Sequence, residues 1–216
     1  MKYWITICLF IALISCNSEK KQDVQFLQEQ RDTIRAYELY NSALEFNLQG
    51  NAADALPLYD SAIIIISNDP DFYNNRGLTK ETLRDTLGAL SDYYKAIETD
   101  SLYAKSYQNL CAIFGRIGND TISLQYVEKA WKLEPSSINL YNVGVSKYML
   151  KDYEGCISVF LDYLKDNKSP TKDMAFYYLG NSYVELNDHY NAQRCWDKAN
   201  ELARYDLKTE MDKTKK

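Results

Sequence analysis

The sequence predicts an all-α protein built from repeated helix–turn–helix units, and three observations support this fold class. Only 8 glycines and 4 prolines occur among 216 residues, so the loops must be few and short. Apolar residues recur at spacings of three, four and seven, the spacing of one helix face. A small residue also returns at intervals of 34, 34, 33 and 36 residues, at Ala43, Gly77, Cys111, Gly144 and Gly180.

These small residues divide most of the chain into five similar units, each of which we expect to be one pair of helices. In every unit a bulky residue follows the small one by sixteen positions: Tyr59, Tyr93, Val127, Phe160 and Trp196. We expect the small residue to let the two helices approach and the bulky one to fill the remaining space. The units span about 36–69, 70–103, 104–136, 137–172 and 173–206, within a repeat domain over 32–206.

The turn between the two helices of each unit also has a repeated composition. It carries an Asp or Asn that we expect to cap the second helix: Asn51, Asp85, Asn119, Asp152 and the pair Asn187-Asp188. Gly50 and Gly118 stand directly before this residue and suit the left-handed end of a first helix. Tyr163 replaces a small residue of unit four, where we expect looser helix packing.

This pattern resembles that of tetratricopeptide repeats (TPRs), which have a period of about 34 residues. The resemblance covers about 170 of the 216 residues and is strongest in units four and five. It implies a right-handed α-α superhelix, or solenoid, of about five helix–turn–helix units with a concave groove lined by the first helices. Family members mostly bind extended peptides or partner helices there, although a fold alone does not fix a function.

An asparagine column is the first candidate for a peptide-binding groove. We call the recurring residues Ala43, Gly77, Cys111, Gly144 and Gly180 the small column, and those sixteen positions later the bulky column. Two residues before the small column, the chain has Asn41, Asn75, Asn109 and Asn142, followed by Tyr178 in the last unit. The TPR resemblance places this position in the groove. Asn offers both a hydrogen-bond donor and an acceptor, so a row of them could pair with a peptide backbone. The alternative is that each Asn bonds the neighbouring helix.

Other inward positions carry aromatic or basic side chains, which we also assign to the groove: Tyr37, Tyr40, Lys105, Tyr141, Tyr148 and Tyr177. Rigid tyrosines are good anchors at protein interfaces. The alternative is that several of them pack against neighbouring repeats. A two-carboxylate clamp for a peptide C-terminus is disfavoured, because only Asn75 and Lys105 match the residues that such a clamp needs.

The N-terminus reads as a targeting segment. After Lys2, an apolar run over 5–14 is too short to span a bilayer, which needs about 20 apolar residues, but fits a secretory signal. The segment Leu13-Ile14-Ser15-Cys16 resembles a bacterial lipobox. That resemblance implies removal of residues 1–15 and lipidation of Cys16. The alternative is a plain cleaved signal with an incidental cysteine.

Two polar segments flank the repeat domain, and the predicted lipid anchor implies where the protein is located. Residues 16–31 are polar and read as a tether, and residues 207–216 form a charged C-terminal tail. We expect the protein in the bacterial cell envelope, anchored by lipid to a membrane, most simply on its periplasmic face.

Composition disfavours catalysis, cofactor binding and nucleic-acid binding. The only histidine is His189, and the chain has no nucleophile motif, phosphate loop or metal-ligand spacing. The net charge of −5 and the lack of a basic face argue against a nucleic-acid partner. We expect no metal, no cofactor and no small-molecule substrate. Cys111 and Cys156 lie in small packing columns and are expected in the core.

Two functions then remain open. The first is a non-catalytic, membrane-tethered scaffold that binds a peptide or partner protein in its groove. The second is a structural subunit of an envelope assembly or secretion machine, since lipoproteins of outer-membrane assembly and pilotins share this layout. The sequence identifies no partner for either function.

Overall fold

The computed structural model describes the backbone of residues 2–166 and 171–213 and the side chains of residues 21–166 and 171–203. These ranges contain ten α-helices and no strand, so the all-α prediction is confirmed. The helices are α1 (Lys2–Leu48), α2 (Ala52–Ile65), α3 (Pro70–Thr82), α4 (Thr86–Thr99), α5 (Ala104–Arg116), α6 (Asp120–Leu133), α7 (Ser137–Met149), α8 (Tyr153–Tyr163), α9 (Lys172–Glu185) and α10 (His189–Lys213).

The helices pack as five consecutive antiparallel pairs, one for each predicted unit. The chain divides after Thr99 into two compact units, which we call the N-terminal unit (α1–α4) and the C-terminal unit (α5–α10). Within each unit, a second helix also packs against the first helix of the following pair, as α2 does with α3 and α6 with α7. The N-terminal unit and the C-terminal unit are therefore each a stack of helical hairpins.

The first helix extends well before the repeats. Residues 21–35 of α1 are largely exposed, including Val24, Phe26 and Leu27, and Ala36 is the first fully buried residue among the described side chains. The predicted signal peptide, residues 1–15, and the side chain of Cys16 lie outside the residues whose side chains are described. In the described part of the chain, no helix is long and apolar enough to cross a membrane.

Close helix contact within a pair depends on the small column. A Cβ added at Gly77 would lie 2.7 Å from a ring carbon of Tyr93, and one added at Gly144 would lie 2.7 Å from Phe160. Gly180 stands against Trp196 in the same way. Each glycine therefore leaves the space that the bulky ring sixteen residues later fills.

The two remaining pairs divide the same space differently. Ala43 packs with Tyr59 in one buried cluster, and Cys111 packs with Val127 in another. Cys111, the largest residue of the small column, thus faces Val127, the smallest residue of the bulky column. The combined volume of the two side chains therefore stays nearly constant from pair to pair. Tyr163 does not loosen its pair as expected. It is 1% exposed, because its ring packs against Phe160 and Tyr141.

The turns follow the predicted chemistry in most units. Side chains of Asp85, Asn119, Asp152 and Asp188 accept hydrogen bonds from the backbone N–H three residues later, as N-caps do. Asn51 makes no such bond, so that cap prediction is wrong.

A left-handed residue ends each first helix before these caps, as the two glycines predicted. Positive φ angles occur at Gly50, Arg84, Gly118, Lys151 and Asn187, between 60° and 81°. Only two of the five are glycine, which is why composition revealed only those two.

Replacing Gly144 with alanine is expected to destabilise the protein by about 1–3 kcal/mol, because the new Cβ overlaps the Phe160 ring. Gly115→Ala is the matched control. A Cβ there meets only the Ser123 hydroxyl at 3.4 Å, so the higher helix propensity of alanine should stabilise α5 by about 0.5–1 kcal/mol. Urea unfolding of both variants measures the two effects. Equal effects would contradict the small-column argument.

Candidate functional site

The first helices of the N-terminal unit enclose a cavity between α1 and α3. Its volume is about 380 Å³, the size of a few side chains. We call it the α1–α3 cavity. It is lined by Leu44, Asn47, Leu48, Gly50, Ala52, Asn75, Leu78, Thr79 and Thr82.

Asn75, predicted to contact a peptide, lies in this cavity with its amide nitrogen already in use. Nδ2 donates to the Tyr40 hydroxyl at 2.8 Å and to the Asp71 carbonyl at 2.9 Å. A carbonyl can only accept, so the nitrogen must face it, and this fixes the orientation of the side chain. Asn75 therefore bonds the neighbouring helix, which is the alternative raised by the sequence, and it also lines the cavity.

Asn47 is a second amide in the cavity, and sequence reasoning missed it. Its Nδ2 donates to the Tyr59 hydroxyl at 3.1 Å and to Thr79 Oγ1 at 2.7 Å. Thr79 in turn donates its hydroxyl hydrogen to the backbone carbonyl of Asn75 at 2.8 Å, so Oγ1 can only accept from Asn47.

A sequence signal for this bond existed. A polar residue stands twelve positions before a bulky-column tyrosine, and the pair Glu81–Tyr93 repeats the arrangement with a hydrogen bond of 2.5 Å. The tyrosine hydroxyl lies beside the polar residue of the paired helix, so the spacing marks a partner rather than a free side chain. The same spacing could have placed Asn47 in the cavity.

The two N-terminal tyrosines assigned to the groove support the cavity wall. The Tyr40 ring stacks on Phe72 with centroids 4.8 Å apart, and its half-burial raises the pKa of its hydroxyl. Tyr37 packs edge-on against Phe72 and donates to Asp69 at 2.6 Å. That hydrogen bond raises the pKa of Tyr37 more than burial does. Asn41, the first member of the asparagine column, is exposed.

The C-terminal unit has an equivalent cavity between α5 and α7. Its volume is about 340 Å³, and Asn142 lines it at the same repeat position as Asn75. We call it the α5–α7 cavity. Unlike the α1–α3 cavity, it includes charged residues; its lining is Cys111, Ala112, Gly115, Arg116, Asp120, Ser123, Asn142, Val145, Ser146 and Met149. Asn109 on α5 is half-buried, and Lys105 is exposed with its ammonium 5.5 Å from the Tyr103 ring centroid.

Tyrosines fill the next space, between α7 and α9. Tyr178, which replaces Asn in the last unit, stacks on Phe160 with centroids 5.8 Å apart and planes 4° apart. Tyr141 and Tyr148 meet the Tyr178 ring edge-on. Burial raises the pKa of Tyr141 to about 12, so its hydroxyl stays protonated near neutral pH. Tyr177 is the most accessible of the group, at 48% exposed.

A third cavity, of about 420 Å³, lies among α6, α7 and α8 in the C-terminal unit and was not predicted from the sequence. We call it the α6–α8 cavity. Its lining combines apolar and charged residues: Glu128, Trp131, Lys132, Leu140, Val143, Lys147, Ser158, Val159, Asp162 and Lys165. It is distinct from the predicted groove positions.

Two features of the described residues bear on catalysis, their metal-ligating groups and their thiols. Among them, no group of three or more His, Cys, Asp or Glu side chains could hold a metal ion. Cys111 and Cys156 are buried in packing columns, as predicted. Burial raises the pKa of the Cys156 thiol to about 11, which disfavours the reactive thiolate.

Comparison with known sequences finds TPR proteins at low identity. No family model matches the chain. The TPR repeat-containing thioredoxin TTL4 of Arabidopsis thaliana is 31% identical over 70 residues, which is 32% of this chain and 10% of that protein. The TPR repeat-containing protein MJ1428 of Methanocaldococcus jannaschii is 24% identical over 179 residues, 83% of this chain and 31% of that protein. The chain thus spans a third or less of these relatives.

Solved structures give the same class with broader coverage. MamA of Desulfovibrio magneticus RS-1 superposes with a TM-score of 0.71 at 19% identity, covering 79% of this chain and 96% of that one. YrrB, described as a TPR protein with an unusual peptide-binding site, gives 0.68 at 18% identity, covering 82% and 90%. The chain therefore has the fold of a TPR protein, and this part of the resemblance is confirmed.

Replacing Tyr178 with alanine is expected to lower the free energy of unfolding by about 2 kcal/mol, because a half-buried ring and its stacking on Phe160 are lost. Tyr177→Ala, one residue earlier and 48% exposed, should lower the free energy of unfolding by less than about 1 kcal/mol. Urea unfolding separates the two. A larger loss in Tyr177→Ala would contradict the assignment of Tyr178 to packing.

Proposed function

We propose that this chain is a non-catalytic scaffold that holds a peptide or a partner protein against its first helices. The observation that carries the proposal is the cavity at the same repeat position in each unit, with Asn75 in one and Asn142 in the other. The TPR fold supports a role in protein interaction, and the peptide-binding site named for YrrB is a feature of a structural neighbour.

The chemistry of these cavities suits a protein ligand. Each combines apolar side chains with an amide on a rigid helix, so an apolar side chain of a ligand can be buried while a polar group is bonded. A hydrogen bond of this kind contributes about 0.5–1.5 kcal/mol. Such sites bind moderately when single and more tightly when one ligand occupies several of them.

We further propose that Cys16 carries lipid and tethers the scaffold to a membrane of the bacterial cell envelope. The support is the sequence Leu13-Ile14-Ser15-Cys16 after a short apolar run. The predicted tether, residues 16–31, is exposed over 21–31, the part whose side chains the structure describes, which supports a spacer between Cys16 and the repeats.

A second function is favoured by the α6–α8 cavity. A structural subunit of an envelope assembly or secretion machine would be held by a permanent partner on a surface other than the groove. Trp131 and Val159 give this cavity an apolar lining, and Trp131 is 36% exposed. A partner bound there would leave the first-helix cavities free.

Site-specific crosslinking in cells tests the scaffold proposal. A photoreactive residue at Leu78, which lines the α1–α3 cavity, is expected to capture a partner, whereas the same residue at exposed Ser91 on α4 should not. An Asn75→Ala/Asn142→Ala double variant, which changes the asparagine of each cavity, should reduce capture. Equal capture by this variant and the wild type, with unchanged circular dichroism, would show that the asparagines do not bind the partner.

Lipidation is tested independently by replacing Cys16. We expect wild-type protein to incorporate labelled palmitate and to sediment with membranes, and Cys16→Ser to do neither. Cys195→Ser, at a half-buried cysteine distant in sequence, is the matched control and should behave as wild type. A membrane-bound, unlabelled Cys16→Ser protein would contradict the predicted anchor.

A further inference from the structure

The amide groups of the α1–α3 cavity are arranged so that only their oxygens remain for a ligand. Asn75 Nδ2 and Asn47 Nδ2 each make two hydrogen bonds within the N-terminal unit, which uses both hydrogens of each amide. Neither amide oxygen accepts a hydrogen bond from any residue whose side chain the structure describes. Both orientations are fixed by partners that can only accept.

This arrangement limits which ligand groups the asparagines of the cavity can bind. The sequence suggested that each Asn could serve as both donor and acceptor to a peptide backbone. In this cavity the donors are committed, so Asn47 and Asn75 can pair only with a hydrogen-bond donor. A peptide carbonyl or a carboxylate would meet two amide oxygens and be repelled.

The charges around the cavity favour a cationic donor. The two bordering helix stretches, 36–48 and 70–82, carry four acidic side chains, and their only two cations are Arg76 and Lys80. Both cations are ion-paired to the buried Asp92, Arg76 at 2.6 Å and Lys80 at 2.8 Å. Over residues 32–99, eleven acidic and five basic side chains give a net charge of −6. The net negative charge of this part of the chain therefore favours a cationic ligand.

The cavity walls suit the stem of a basic side chain. Leu44 and Leu78 lie on facing helices and line the space together with Leu48. A lysine or arginine can lay its aliphatic stem on such a surface while its head group donates hydrogen bonds. Lys has three donors and Arg has five, and neither has an acceptor, which matches an acceptor-only site.

We propose that the α1–α3 cavity takes a lysine or arginine side chain from a basic segment of the partner protein. The inference rests on the proposed scaffold function and adds the chemistry of its ligand. The α5–α7 cavity has Arg116 in its own lining and is not expected to share this preference.

Ligand titration with small probes tests the proposal. The full-length chain, ¹³C-labelled at methyl groups and held in a non-ionic detergent, is titrated with n-butylammonium as a lysine side-chain mimic and with butyrate as the anionic control. We expect butylammonium to shift the methyl signals of Leu44 and Leu78 in a saturable way, and butyrate not to. The signals of Val145 and Met149, in the α5–α7 cavity, should stay unchanged.

A charge-swap pair at the cavity rim gives the matched control. Thr82 is exposed, lines the cavity, and donates its hydroxyl only to the Leu78 carbonyl of its own helix. Thr82→Lys should weaken butylammonium binding about two- to fivefold and Thr82→Glu should strengthen it similarly, as expected for one exposed charge. Neither variant disturbs the Asn47 and Asn75 bonds.

Three results would overturn the proposal: equal shifts with butyrate, no saturable shift with butylammonium, or equal affinities in the two Thr82 variants. Failure here is distinguishable from failure of the scaffold function. If Leu78 still captures a partner equally in Thr82→Lys and in the wild type, the basic-ligand inference is wrong and the scaffold proposal stands. If Leu78 captures no partner while butylammonium binds, the scaffold proposal fails instead.

Discussion

The contact between a small residue on each first helix and a bulky side chain on the second is the constraint on which the rest of the structure depends. Where the small residue is glycine, the ring occupies the place of its missing Cβ, as Phe160 does at Gly144. Close packing of interiors leaves no room for both residues to be large. Because the helices of each pair are held at this distance, the inward side chains of the first helices occupy repeated positions.

Those repeated positions carry different chemistry in different units. At the asparagine position, Asn75 and Asn142 line cavities, whereas Tyr178 fills the corresponding space by stacking on Phe160. The TPR architecture thus repeats the same location along the chain. The side chains of each helical pair determine whether that location is an open cavity or is filled by a ring. The fold alone does not determine this choice.

Hydrogen-bond direction adds a second level of specificity. An Asn side chain has a donor end and an acceptor end, and the protein can use either one for its own structure. In the N-terminal unit, Tyr40 and Thr79 take the donor ends of Asn75 and Asn47. Asp71 and Thr79 can only accept from these half-buried amides, which keeps each amide in one orientation and leaves its oxygen for a ligand.

By itself, the sequence determined the helical hairpins, because helix periodicity, the small and bulky columns, and caps such as Asp152 are local or evenly spaced signals. The TPR resemblance predicts an inward position for Asn75, and Asn75 lines the α1–α3 cavity. Tertiary structure alone decided the bond between Asn47 and Thr79, the burial of Tyr163, and the α6–α8 cavity. These depend on distances between helices far apart in sequence, and a one-dimensional pattern does not contain those distances.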